Sequence, residues 1–261
     1  MSGAGPEVQF GLLFWEIERG VDGLRACREA ASLLPSDLGI FVAGALSAPP
    51  APFVPPEHQG RIGHALLVAG FGSAEEHAGA LAPVRDLCPP TFEFLTPMPY
   101  PALQQLFDAE LHSGIRMYDK ALYLVELTDD AITVLTERAT GKSAPLSFMP
   151  IFALHGAVSE VGDEATAYGG LRTPHWVVDV SATSDDPEVF AADRTWAQSV
   201  WDALRPLAGN AGSYVNFISE LDADDRVRAS YGPAKFGRLA QIKGQYDPGN
   251  LFHRNANIKP V

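Results

Sequence analysis

Short apolar runs rich in strand-forming residues alternate along this chain with single stretches of helical spacing, and that alternation limits the fold more than any other feature. Residues 8–17 (V-Q-F-G-L-L-F-W-E-I) read as a strand, and residues 20–34 switch to a helical period with Val21, Leu24, Cys27, Ala31 and Leu34 apolar. Strands follow at 38–46 and 62–71, separated by a stretch from Pro49 to Pro56 that carries five prolines in eight residues. That stretch reads as a stiff, extended loop. Ser73 then caps a helix to about Leu87, with Glu75 and Glu76 in its first turn, and a strand returns at 92–96. One helix per strand pair suits an antiparallel or mixed sheet covered by helices on one face.

The second half echoes the first in order without repeating its sequence. A proline-rich entry leads to a helical stretch over 99–109, broken at His112-Ser113-Gly114, and 115–126 reads as a strand. Thr128 begins a helix with Asp129 and Asp130 in its first turn, strands lie near 146–155 and 175–182, and Pro187–Leu204 is amphipathic. The fold expected is one α+β domain over residues 1–213, a broad and mostly antiparallel sheet with helices on one face. A helical C-terminal segment, 214–261, packs on it.

With 261 residues the chain is long enough to bury roughly three quarters of its unfolded surface. The net charge of −13 opposes a nucleic-acid-binding surface, which needs clustered Lys and Arg to displace counterions, and favours a soluble cytoplasmic protein. No apolar run approaches the ~20 residues that cross a bilayer, and no secretory leader is visible at Met1–Pro6. Cys27 and Cys88 are far apart without metal-ligand spacing and read as buried thiols, and no metal site is expected. Neither G-x-G-x-x-G, a Walker loop, H-E-x-x-H nor G-x-S-x-G occurs, so no self-sufficient cofactor or hydrolase site is legible.

The last fifty residues are the most specific. They run Y-V-N-F at 214–217, a polar helix start at 221–225, Tyr231-Gly232-Pro233, K-F-G-R-L-A-Q-I-K-G-Q-Y at 235–246, D-P-G-N-L-F at 247–252 and N-A-N-I-K-P at 255–260. In that order they resemble the C-terminal signature of berberine-bridge-enzyme-like FAD-linked oxidases: Y-x-N-Y/F, Y-G, R-L-x-x-I/L-K-x-x-Y-D-P-x-N-L-F, N-x-N-I-x-P. The front G-L-L-F-W, the P-A-P-F-V-P loop at 50–55, P-M-P-Y-P-A-L at 97–103 and Y-D-K at 118–120 resemble bacterial members. In that family these elements build the substrate domain, whose sheet lies over the flavin ring, while FAD is held by a preceding N-terminal domain. The resemblance implies a chain that begins where the second domain begins and that takes its FAD domain in trans.

The resemblance assigns Tyr214 as the proton acceptor beside the substrate. A base is needed because a hydride leaves the C–H carbon for the flavin while the hydroxyl proton goes elsewhere. A free tyrosine is only about 0.1 % ionised at pH 7, so it needs a positive neighbour. Lys120 is the candidate, sharing one strand face with Tyr118 by the two-residue period. Strand 175–181 places His175, Val177, Asp179 and Ser181 on one polar face suited to a substrate pocket. Plant relatives carry Gln in place of Asp179, which leaves the substrate class open, and His155 replaces an aromatic or Gly. Asn216, Asn255 and Asn257 match positions that reach the flavin. Lys235, Arg238 and Lys243 read as a solvated helix face. Two other classes stay open on the residues alone: a flavin-free binding or scaffolding protein, and a flavin-independent acid–base enzyme.

Overall fold

The computed structural model describes residues 7–108, 111–163, 165–209, 224–254 and 257–261, with backbone only for 224–226 and 229. Its centre is a seven-stranded sheet of order β4-β1-β3-β2-β6-β7-β5. The strands are β1 (Glu7–Glu16), β2 (Gly39–Ser47), β3 (Ile62–Gly70), β4 (Phe92–Pro99), β5 (Arg116–Leu124), β6 (Met149–Leu154) and β7 (His175–Ser184). Every pair of neighbouring strands is antiparallel. The helices are α1 (Gly20–Leu33), α2 (Ala74–Leu87), α3 (Tyr100–Gln104), α4 (Asp129–Arg138), α5 (Ala157–Glu160), α6 (Pro187–Ala208), α7 (Asp224–Tyr231) and α8 (Pro233–Tyr246). The order β1-α1-β2-β3-α2-β4 is a split β-α-β unit, and β5-α4-β6-β7-α6 repeats it, so the echo read from the sequence is a structural repeat joined through β2 and β6.

Capping fixes where the long helices begin. Ser73 and Glu76 form a reciprocal capping box on α2, Thr128 accepts the Ala131 amide on α4, and Asp186 accepts the Glu188 and Val189 amides on α6. These helices and α1 cover one face of the sheet. Leu24, Leu81, Leu135, Trp196 and Val200 pack there against Leu13, Trp15, Leu66, Val178 and Leu122. Each such side chain contributes roughly 1.5–3 kcal/mol on burial.

The opposite face is covered differently at its two ends. Over β1, β2, β3 and β4 it buries Phe10, Phe14, Leu67 and Phe92 beneath the proline-rich segment. That segment is not extended as its composition suggests: Ala51 and Val54 amides fold back on Pro49 and Ala51 carbonyls, residues 56–58 form a 3-10 turn, and Phe53 stacks on Phe94 at 4.4 Å. Prolines here stiffen a cover for apolar strand positions. The helix expected over 99–109 ends at Gln104, since α3 is a single turn capped by Pro99 with Pro101 as its second residue. Over β5 and β7 the same face carries polar residues.

Strand β2 has a bulge between Ala43 and Leu46, where Ala45 adopts φ +53°. Its amide, turned out of the ladder, donates to His64 Nδ1 at 3.2 Å, and His64 Nε2 faces Thr136 Oγ1 at 3.3 Å. Burial depresses His64 to about 3, so the ring is neutral and accepts through Nδ1. Cys27 and Cys88 are both buried and free.

Candidate substrate site on the helix-free face

Strand pairing brings together what sequence spacing alone cannot. In the β5–β7 ladder Asp119 lies opposite Ser181, Ala121 opposite Asp179 and Tyr123 opposite Val177. These odd-numbered residues alternate away from the helices, because Leu122, Leu124, Val178 and Val180 are in the helix-side core. Asp119 and Asp179 are therefore diagonal neighbours on the helix-free face, within mutual influence. Beside them, Tyr123 and Val177 form an apolar patch with Ala121, Phe152, Leu154 and Leu171.

The electrostatics of this face are unusual for carboxylates. Asp179 is 2 % exposed, and its Oδ1 is a buried oxygen without a hydrogen-bond partner. Burial first, and then the nearby Asp119 charge, push Asp179 up to about 8 against the opposing Val180 and Lys120 amides. Asp119 is also raised by burial, with a hydrogen bond to Ser181 acting against it. Ser181 Oγ in turn lies 3.2 Å from Thr183 Oγ1. His175 Nδ1 lies 2.7 Å from the Thr173 carbonyl and must donate to it, so its buried, unpartnered Nε2 is an acceptor. Burial lowers His175, which keeps the ring neutral, and it meets Tyr123 edge to face at 4.9 Å. The unpartnered carboxyl oxygen and imidazole nitrogen can bind a hydroxyl, and the carboxyl can take up its proton once ionised.

Tyr118 and Lys120 do share a face, but it is the helix-covered one. Gln198 Nε2 donates to the Tyr118 hydroxyl at 3.5 Å, and Arg194 lies over the Tyr118 ring. Lys120 Nζ stacks over Trp201 of α6 at 4.3 Å, while the Trp201 indole donates to the Ala121 carbonyl. The thickness of the sheet separates both residues from Asp179 and Ser181. His155 lines a different feature, an open groove of about 400 Å³ at the end of β6 with Arg28, Thr128, Leu154 and Trp176. Tyr214, Asn216 and Asn255 lie outside the described residues, and Asn257 is half-buried in the terminal segment.

Two lysines read as solvated are not. Lys235 is 6 % exposed and donates to the Asp163 and Tyr168 carbonyls, both at 2.7 Å. Lys243 pairs with Asp247 and donates to the Phe252 carbonyl at 2.6 Å, tying the D-P-G-N turn to α8. Arg238 is exposed as expected. Asp119 was missed because an i, i+2 pattern assigns faces within a strand but not which strand lies alongside. His175 was placed on the correct face without a role.

The fit to a flavin enzyme is one-sided. The unpartnered Asp179 Oδ1 and His175 Nε2 leave two polar atoms that a hydroxyl-bearing ligand could bond. None of the described residues in this row is a Lys or Arg that could pair with the FAD diphosphate.

Residues 213–259 match the family model described as berberine and berberine like. The chain is 24 % identical over 192 residues to an FAD-linked oxidoreductase of Dictyostelium discoideum, covering 73 % of this chain and 41 % of that protein. It is 30 % identical over 204 residues to the FAD-linked oxidoreductase fogF of Aspergillus ruber, covering 71 % and 39 %. The fold superposes on BBE-like 28 from Arabidopsis thaliana with a TM-score of 0.78 at 15 % identity, over 99 % of this chain and 57 % of that one. The chain thus spans about two-fifths of the length of these curated relatives. At its C-terminal segment by sequence, and across its sheet and helices by fold, the chain is similar to FAD-linked oxidoreductases of the berberine-like family.

Proposed function

We propose that the chain forms the substrate-binding side of an FAD-linked oxidoreductase that oxidises an alcohol, a sugar hydroxyl or a biosynthetic intermediate to the carbonyl. The observation that carries this is the buried polar row on the helix-free face, centred on Asp179 with its unpartnered Oδ1. FAD bound against this face, on a domain in a separate chain or elsewhere in a longer protein, supplies the acceptor for the substrate's hydride. The residues of this chain hold the rest of the reaction. His175 Nε2 orients a hydroxyl, and the apolar patch of Tyr123, Phe152 and Leu171 keeps water from it.

The hydroxyl proton needs an acceptor. Tyr214 is proposed from the family resemblance, and Asp179 is the acceptor supported by the described geometry, becoming competent as it ionises near pH 8. Lys120, held on Trp201 beneath α6, is proposed to fix the edge strand that carries Asp119, with Tyr118 beside it. Asn216, Asn255 and Asn257 remain proposed contacts to the cofactor edge. Co-expression with an FAD domain of a relative tests the assembly. The expected outcome is a yellow complex that co-purifies and bleaches on anaerobic addition of an alcohol or oligosaccharide. A chain that stays colourless and monomeric beside a folded FAD domain contradicts the proposal and favours a flavin-free binding protein.

A further inference from the structure

The berberine-like segment ends in exposed apolar residues, with Tyr246, Leu251 and Phe252 each at least 74 % exposed, yet among its described residues Lys235 makes a deeply buried polar attachment to the rest of the fold. Lys235, in the first turn of α8, extends its ammonium into the loop between α5 and β7 and donates to the Asp163 and Tyr168 carbonyls. The Asp163 carboxylate lies a further 3.5 Å from the same ammonium. A buried lysine costs several kcal/mol unless its donors are used, so this contact is specific rather than incidental.

The loop that Lys235 grips has no slack. A Cβ on Gly169 would lie 2.7 Å from the Tyr231 ring and 2.9 Å from the Ser230 carbonyl, at the end of α7. A Cβ on Gly170 would lie 2.3 Å from the Tyr168 hydroxyl and 2.8 Å from the Tyr123 hydroxyl, on the sheet. The Gly169-Gly170 strip is thus pressed between the C-terminal helices on one side and the helix-free face on the other. Leu171 then drops onto Ala121, Tyr123 and Val177, and Ala121 is the direct ladder partner of Asp179. Arg172 braces the loop from within, stacking on Tyr168 and donating to Thr166 Oγ1 and the Val158 carbonyl.

We propose that Lys235 is a positioning residue for the substrate site: it fastens the 163–171 loop as the wall beside Asp179, so the C-terminal segment shapes substrate binding in this chain independently of any flavin domain. This rests on the substrate-site reading above. Hydrogen exchange on the full chain tests the fastening without flavin. Lys235→Met keeps the apolar stem and removes the donors, and exchange of the 163–171 amides is expected to rise about tenfold or more while β1 to β4 stay protected. Lys243→Met, altered on the same helix but bonded only within the terminal segment, is expected to leave 163–171 unchanged. Gly169→Ala, which drives the loop off α7, is the second variant and is expected to raise exchange in the same residues. Unchanged 163–171 exchange in folded Lys235→Met and Gly169→Ala overturns the proposal. In the flavin-bearing assembly, Lys235→Met is expected to raise KM about tenfold with kcat within about twofold. A raised exchange with KM unmoved reduces Lys235 to a stabilising contact and overturns its positioning role. Absence of oxidation by the unaltered assembly counts against the oxidase reading alone, because the exchange result stands without it.

Discussion

Asp179 is where chemistry and stability pull apart. Its ordinary carboxyl would ionise near 3.8, but in the fold it does so near 8. Between those values the folded chain holds a proton that the unfolded chain has released, so this group lowers stability as pH rises from about 4 to about 8 and no further above that. Asp179→Asn removes the penalty. The variant is expected to match the unaltered chain within about 1 kcal/mol at pH 5 and to exceed it by about 2–4 kcal/mol at pH 9, read from urea midpoints at the two pH values. Equal midpoints at pH 9 would place the Asp179 carboxyl in water. The sequence already showed Asp179 on a polar strand face, because strand alternation is local. It did not show the rise, which comes first from burial that only the folded chain creates and then from Asp119 on a neighbouring strand.

Among the elements, β2 and its bulge depend on a single imidazole. Ala45 holds a left-handed conformation that costs about 1 kcal/mol, and its out-turned amide has His64 as acceptor. His64→Leu leaves that amide unsatisfied in the core and is expected to cost about 2 kcal/mol at pH 7.5, measured by chemical denaturation. Because His64 stays neutral to about 3 in the fold while an unfolded histidine protonates near 6.5, the unaltered chain loses stability as pH falls from about 6.5. The gap between variant and unaltered chain is therefore expected to narrow toward pH 4; a constant gap would show that His64 is not held neutral. Strands, caps and the order of elements were legible from periodicity and from Ser73, Thr128 and Pro187. The bulge was not, since Ala45 carries no positive-φ signal, and neither was the compact 49–58 cover, whose form follows from Phe53 packing on Phe94. The solvated reading of Lys235 failed for the same reason: a cation on a helix looks exposed until its long-range carbonyl partners are known.

At the scale of the whole molecule, two split β-α-β units share one antiparallel sheet, with helices on one face and a polar row on half of the other. That division separates the candidates: the helix-covered face holds Tyr118 and Lys120, while the buried polar row of Asp179 and Ser181 lies on the other face, where the ligand is proposed to bind. The most direct measurement is anaerobic flavin reduction by an alcohol or oligosaccharide in the assembly of this chain with an FAD domain, followed against pH in the unaltered protein, Asp179→Asn and Lys120→Met. The expected result is a reduction rate rising about tenfold per pH unit below pH 8 and levelling above it, a loss of about a hundredfold or more in Asp179→Asn, and a loss of no more than about tenfold in Lys120→Met, which keeps the stem on Trp201. A rate that is flat with pH and untouched by Asp179→Asn would contradict the assignment of the helix-free face as the site of oxidation.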